Sequence, residues 1–202
     1  HPVRVIPNGI NLELFKPSPS DFRQKFGLAG KFVILGVSSV WEKRKGLATF
    51  AELAHMLPED CVIVLVGIND YLKRKLPAQI RCIPKTNSVQ ELSEIYSAAD
   101  VFLNPTLEDN FPTTNLEALA CGTPVITFRT GGSVESVTER TGLIVEKRDL
   151  RGLLDAILVI RHKGRAAYSD ACLVMARERF DKNTNYLHYL DLYETARKGS
   201  QS

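Results

Sequence analysis

The sequence predicts an α/β fold, a doubly wound and mainly parallel sheet with helices on both faces. Three observations predict it. Residues 31–39 (KFVILGVSS) and 61–67 (CVIVLVG) are nearly continuous apolar runs of strand length. Strands covered on both faces require such runs. Between the apolar runs lie segments with helical spacing, the first carrying Leu47, Phe50, Ala51 and Ala54 at i, i+3, i+4 and i+7. Strand and helix then alternate along most of the chain, which is the mark of a parallel α/β sheet.

The elements follow in order. Residues 1–20 read as a crossover and linker, with a turn at Pro7-Asn8-Gly9 and a Pro/Ser stretch at Pro17-Ser18-Pro19-Ser20. A short helix spans 22–26 and stops by Gly27 or Gly30. Residues 31–39 are the first strand, followed by the polar loop Trp41-Glu42-Lys43-Arg44-Lys45-Gly46 and the helix around Phe50. Residues 61–67 are the second strand and 80–84 a weaker third. Ser88-x-x-Glu91 is a capping box whose helix turns Leu92, Ile95, Tyr96 and Ala99 inward. Residues 101–103 are the fourth strand.

Pro112 fits the first turn of the next helix, where its missing N–H is no loss. Leu116, Leu119 and Ala120 give that helix an apolar face, and Gly122 and Pro124 stop it. Strands at 125–128 and 143–145 complete the sheet. Asp149 caps a helix carrying Leu150, Leu153, Leu154 and Ile157 on one face, and helices at 165–179 and 182–197 end the chain.

Composition narrows the function. The 202 residues make one large domain, or one domain with an extension. Hydrophobic content of 44% and charged content of 24% are ordinary for a soluble globular protein. A net charge of +3, with its basic residues spread along the chain, argues against nucleic acid as a partner. The four cysteines, Cys61, Cys82, Cys121 and Cys172, have neither zinc-finger nor CxxC spacing and read as small buried hydrophobes of a reducing cytosol. No signal peptide and no apolar run of about 18 residues suggests a membrane span. His1, His55, His162 and His188 fall outside the candidate loops.

The chemistry concentrates in residues 104–135. A helix entered through a polar loop presents free N–H groups and roughly half a positive charge at its start, which makes an anion site. Thr113 and Thr114 add hydroxyls there. Glu108 and Asp109 sit beside it, and Glu117 lies one turn or so into the helix. A Gly-rich turn, Thr130-Gly131-Gly132-Ser133, follows the next strand and leads to Glu135. Phosphate donors beside carboxylates that accept from hydroxyls describe a sugar-nucleotide site. Gly36 and Gly67 each follow an apolar strand, where a glycine permits close backbone approach to a ligand or simply makes a tight turn. Lys45 and Arg44 read either as phosphate-binding cations or as a solvated basic turn.

The pattern acid-x7-Glu, then Ala-x-Ala-Cys-Gly-Thr-Pro-Val, then Gly-Gly-x-x-Glu, resembles the donor-binding domain of retaining family 4 glycosyltransferases. Those enzymes have the two-Rossmann-domain GT-B architecture. Their usual Glu-Gly-Phe-Gly is here Asp109-Asn110-Phe111-Pro112, a variant similar to that of members building bacterial surface polysaccharides. The resemblance implies a Rossmann-like nucleotide-sugar domain at 21–180. It also implies that residues 1–20 are the crossover, and that 181–202 are a final helix returning to an N-terminal domain absent from this sequence. Tyr186, Leu190 and Tyr193, widened by Tyr189 and Ala196, should then stay partly exposed.

The implied reaction moves a sugar from a nucleoside diphosphate sugar to an acceptor hydroxyl with retention. It needs no cofactor and, lacking an Asp-x-Asp pair, no metal. Lys45 would contact the diphosphate. Arg44 would share that role, because Ser38 and Ser39 stand where the family has an arginine. Asp109, or Glu108 in its place, would face the donor sugar. Glu117 would accept from the ribose hydroxyls, and Ile83, with Pro84 and Lys85, would bracket the base. Asn110, Phe111, Thr113 and Thr114 would offer N–H groups and hydroxyls to the phosphates. The acceptor, a glycan or lipid-linked sugar, would bind through the absent domain, and the protein would work in the cytoplasm or at the inner membrane face. A GT-B sugar-nucleotide epimerase and a non-catalytic sugar-nucleotide-binding or interaction module are the alternatives. The lack of a GxGxxG opening a helix and of a P-loop motif argues against a dehydrogenase and a P-loop enzyme.

Overall fold

A computed structural model of the chain describes Val3 and residues 5–199. His1, Pro2, Arg4 and residues 200–202, at the ends of the expected crossover and final helix, lie outside the described residues, as does the Ala196 side chain. Six strands form one sheet: β1 (Phe32–Val37), β2 (Cys61–Val66), β3 (Arg81–Ile83), β4 (Val101–Asn104), β5 (Val125–Phe128) and β6 (Gly142–Val145). The order is β3-β2-β1-β4-β5-β6, and every pairing is parallel. The doubly wound parallel sheet is therefore observed, with strand boundaries within two residues of those read from the sequence.

The helices are α1 (Phe22–Lys25), α2 (Leu47–Ala54), α3 (Asp70–Lys73), α4 (Val89–Ala98), α5 (Thr113–Ala120), α6 (Leu150–Lys163), α7 (Ala166–Phe180) and α8 (Lys182–Gly199), with 3-10 turns at Lys43–Lys45 and Gly131–Ser136. The chain runs outward from β1 to β3, then returns to place β4 on the other side of β1. That reversal opens a crevice at the carboxyl ends of β1 and β4, where ligands of such sheets bind.

Local chemistry explains most boundaries. The Ser88 hydroxyl accepts from Glu91 N at 3.1 Å and starts α4. The reciprocal arm of the expected capping box lands one residue early, since the Glu91 carboxylate accepts from Asn87 N at 2.6 Å. Asp149 caps α6 by accepting from Gly152 N at 2.8 Å. The short α3 has no periodic signature, and the sequence reading missed it; the Asn69 side chain caps it. Pro112 sits at the N-cap of α5 and not inside its first turn, with ψ at 113°. Gly122 ends α5 at a left-handed φ of 71°.

The sheet is the floor of the core. Ile34, Leu35, Leu65, Val101, Val125 and Ile126 are fully buried. Gly36 belongs to this packing: a Cβ there would lie 2.5 Å from Phe50 Cζ and 2.7 Å from Leu65 Cδ2. Its missing side chain makes room for α2, a packing reason for glycine at this position of β1.

The N-terminal arm clasps the junction of the last two helices. Ile10 N donates to the Phe180 carbonyl at 2.7 Å, and Lys182 N donates to the Ile10 carbonyl at 3.0 Å. Along α8 the buried Asn185 donates to the Pro7 and Arg179 carbonyls and the Tyr189 hydroxyl to the Ile6 carbonyl, while Tyr186, Leu190 and Tyr193 are exposed.

Candidate functional site

A cleft of ≈ 540 Å³ opens at the carboxyl ends of β1, β2 and β3 and is closed on one side by α5. Ser38 and Ser39 line it after β1, Gly67 after β2, and Pro84, Lys85 and Thr86 after β3; Leu92, Thr113, Thr114 and Glu117 complete it. Gly67 has φ +91°, and a Cβ there would lie 1.8 Å from the Ser38 carbonyl oxygen. Only glycine lets these two strand exits run so close. The Ser38 hydroxyl donates to the Val40 carbonyl at 2.7 Å, so it is already engaged in its own turn. Trp41 pins that turn, donating from Nε1 to the Val66 carbonyl at 2.9 Å while its ring meets Phe50 edge-on.

The third strand contributes differently from expectation. The Ile83 carbonyl accepts from Gly67 N at 2.9 Å and Ile68 N at 3.1 Å, and its side chain is buried. Ile83 thus ties two strand exits together, and the cleft is faced by the residues after it.

Glu117 lines the cleft from α5 beside Thr113 and Thr114, while its nearest neighbours in sequence belong to the core. Leu116, Ala118 and Leu119 are fully buried on either side of it. Its Oε2 accepts from the Tyr96 hydroxyl at 2.8 Å. Burial pushes the Glu117 carboxyl above the usual carboxylate range, and the Tyr96 hydrogen bond works in the opposite direction. The fully buried Tyr96 phenol is held well above its ordinary value, burial first and the neighbouring carboxylate second.

A second group of candidate residues is ionic and lies outside the residues that line this cleft. Lys45 ends its 3-10 turn at Gly46, where a Cβ would lie 2.2 Å from the Pro105 carbonyl oxygen, so the turn is packed on the exit of β4. Lys45 Nζ lies 2.7 Å from Asp109 Oδ2, with both side chains largely shielded. Asp109 Oδ1 accepts from Phe111 N at 3.2 Å. That bond occupies the N–H expected to face a phosphate, and the Phe111 ring packs edge-on against Phe180. Arg44 turns to the rim: its Nε pairs with Glu42 Oε2 at 2.6 Å, and its Nη1 reaches only the Glu108 backbone carbonyl at 3.5 Å. Glu108 and Asn110 are exposed. Of the two adjacent acids, the fold brings Asp109 to Lys45.

The Gly-rich turn supports this loop from below. Gly132 N donates to the Asp109 carbonyl at 3.2 Å. Cβ atoms on Gly131 and Gly132 would lie 2.1 Å from the Asp109 oxygen and 1.8 Å from the Asn110 oxygen. A buried amide then ties three elements together. Asn115 Oδ1 accepts from Asn104 Nδ2 at 2.8 Å, and Asn115 Nδ2 donates to the Ser133 carbonyl and the Ser136 hydroxyl. At the helix start no side chain caps the α5 N–H groups, and Thr113 and Thr114 face the cleft. Sequence reading passed over Trp41, Tyr96 and Asn115 as site-shaping residues. Trp41 sits in a polar loop and the other two carry a helical signature, and the polar partner of each lies elsewhere in the sequence. Among the described residues no group of three or more His, Cys, Asp or Glu is placed to hold a metal ion, and no helix is long and apolar enough to cross a membrane.

Comparison with known proteins adds what geometry does not carry. The family described as "Glycosyl transferases group 1" matches residues 31–162. The chain is 32% identical over 139 residues to an alpha-galactosylglucosyldiacylglycerol synthase of Streptococcus pneumoniae, covering 61% of this chain and 37% of that protein. It is 31% identical over 173 residues to an Escherichia coli UDP-Gal:alpha-D-GlcNAc-diphosphoundecaprenol alpha-1,3-galactosyltransferase, covering 77% and 44%. Its fold matches that of Anabaena HepE, solved in complex with UDP-glucose, with a TM-score of 0.81 at 23% identity over 95% of this chain and 57% of that one. The chain spans about half the length of the relatives it matches, or less.

Proposed function

Because the chain belongs to the group 1 glycosyl transferases, we propose that it is the donor-binding half of a retaining, GT-B sugar transferase that uses a nucleoside diphosphate sugar. The observation that carries this reading is Glu117. A carboxylate that lines the cleft together with the Thr113 and Thr114 hydroxyls, beside an uncapped helix start, matches a ligand with hydroxyls at one end and phosphates at the other. An E. coli relative whose name includes UDP-Gal, and a structural neighbour solved with UDP-glucose, support a uridine nucleotide donor.

In this reading Glu117 accepts from the ribose hydroxyls, and the residues after β3 flank the base. Lys45 and the α5 start stabilise the charge that grows on the departing diphosphate, an effect that is strong inside a partly desolvated cleft. Asp109 faces the donor sugar from beside Lys45, and Glu108, on the exposed side of the loop, is the lesser candidate. Transfer proceeds with retention and without a metal ion. Residues 21–180 are the donor domain, 1–20 the crossover, and 181–202 the element that returns to an acceptor half outside this sequence. The acceptor is a lipid-borne sugar at the cytoplasmic membrane face, of the kind used for surface polysaccharide. The support is that both named relatives carry a lipid in their names, a diacylglycerol and a diphosphoundecaprenol.

Calorimetry with UDP, in magnesium and again in chelator, tests the site. The expected result is binding of equal strength in both. Collapse of binding in chelator, or no binding in either, overturns the site. The isolated chain should also fail to transfer sugar, and robust transfer by it alone would overturn the half-enzyme reading.

A further inference from the structure

We propose that Tyr96 is a positioning residue of the donor site: its buried hydroxyl holds one oxygen of Glu117 and leaves the other to the ribose. The inference rests on the reading of Glu117 given above. Tyr96 is fully buried, with its ring edge-on to Phe102 at 5.4 Å and to Phe15 at 6.2 Å. Its carbonyl accepts from the Thr123 hydroxyl at 2.7 Å and from Ala99 N at 3.1 Å, so backbone and ring are both fixed. The one polar atom of that side chain ends 2.8 Å from Glu117 Oε2.

A phenylalanine would fill the same space with no polar group to satisfy. The hydroxyl therefore does something that packing does not require. The reverse explanation, that Glu117 exists to satisfy the phenol, is weak. A half-buried carboxylate costs more to desolvate than one buried hydroxyl gains from it. The need runs from the carboxylate to the tyrosine.

The chemistry gives the hydroxyl two tasks. It orients the carboxylate, because Oε2 is anchored on the core side. It also keeps the group charged, because burial favours the neutral acid and a donated hydrogen bond favours the anion. The other titratable groups on this surface are Cys121, on the same helix, and Lys85, which lines the cleft after β3. Burial pushes the Cys121 thiol to about 11, so it stays neutral in any working buffer. Lys85 is present in parent and variant alike. The Tyr96 hydroxyl is thus the group whose removal changes the charge state of Glu117.

The test is UDP affinity measured by calorimetry from about pH 5.5 to about pH 9 for the parent, Tyr96→Phe and Glu117→Gln. The readout is the ratio of variant to parent affinity, which cancels the titration of the phosphate itself. Without its donor Glu117 is protonated more readily, so the Tyr96→Phe carboxylate is neutral up to a higher pH. Tyr96→Phe should bind about tenfold more weakly near neutrality, and the deficit should shrink toward the alkaline end to the part left by lost orientation. A ratio that stays constant across the range, whether one or less than one, overturns the proposal and leaves Tyr96 a core residue. If Glu117→Gln binds UDP as the parent does, the donor-site reading itself fails, whatever Tyr96→Phe shows. Should Tyr96→Phe fold poorly, replacement of tyrosine by 3-fluorotyrosine keeps the ring and makes the phenol a stronger donor. The acid loss of affinity must then move to lower pH, and an unmoved curve overturns the proposal.

Discussion

Glu117 and Asp109 flank the start of one helix, yet the fold gives them opposite surroundings. Glu117 has a single neutral donor, and burial raises its proton affinity. Asp109 has the Lys45 ammonium on one oxygen and a backbone N–H on the other. The first carboxylate is desolvated without a counter-charge, and the second brings its counter-charge with it. In the proposed reading the carboxylate without a counter-charge is the one placed to meet the donor. The paired group shapes the site in advance, and if Lys45 contacts the diphosphate as proposed, the diphosphate shares that cation with Asp109.

Lys45→Ala should have the largest effect and would break the comparison on its ionic side. In a chain joined to its acceptor half, transfer should fall by about 10²–10³, measured as initial rate, since preorganised charge stabilisation is of that size. Adding Asp109→Asn should relieve the carboxylate left without a partner and recover stability, but not rate.

Glu117→Gln sharpens the other side. UDP affinity should fall by about tenfold to a hundredfold, as expected for lost charge-assisted hydrogen bonds to two hydroxyls. Folding should respond with the opposite sign. A carboxyl whose folded pKa is raised carries no penalty below its unfolded value, and destabilises as pH rises through the folded one. The variant should therefore melt at the parent's temperature near pH 4 and above it near pH 8. A parent that melts higher at pH 8 would mean that Glu117 serves the fold.

Gly36→Ala separates the cleft from its floor. Crowding Phe50 and Leu65 should destabilise by about 1–3 kcal/mol in denaturant unfolding while leaving UDP affinity near the parent's. The smallest effect belongs to exposed side chains of the final helix. Tyr186→Ser and Tyr193→Ser on α8 should change the stability of the isolated chain by no more than about 0.5 kcal/mol.

By itself the sequence determined the fold class and its elements apart from the short α3. Apolar runs, helical spacing and caps such as Ser88 and Asp149 act over a few residues, so they are readable without a neighbour in space. The acid-x7-Glu spacing was legible for the same reason, because it lies within one loop and one helix. What only the tertiary structure decided is where each polar atom ends. Lys45 meets Asp109 across 64 residues of sequence, and Tyr96 meets Glu117 across 21. Nothing local distinguishes a tyrosine in an apolar stripe from one that holds a carboxylate, or Glu108 from Asp109 as the partner of a lysine. Gly36, Ile83 and Phe111 look like ligand contacts in one dimension, and in three they also pack against or bond to Phe50, Gly67 and Asp109. Hydrogen bonds and close packing are set by the docking of whole elements, and that docking is a property of the folded sheet and not of any one stretch of chain.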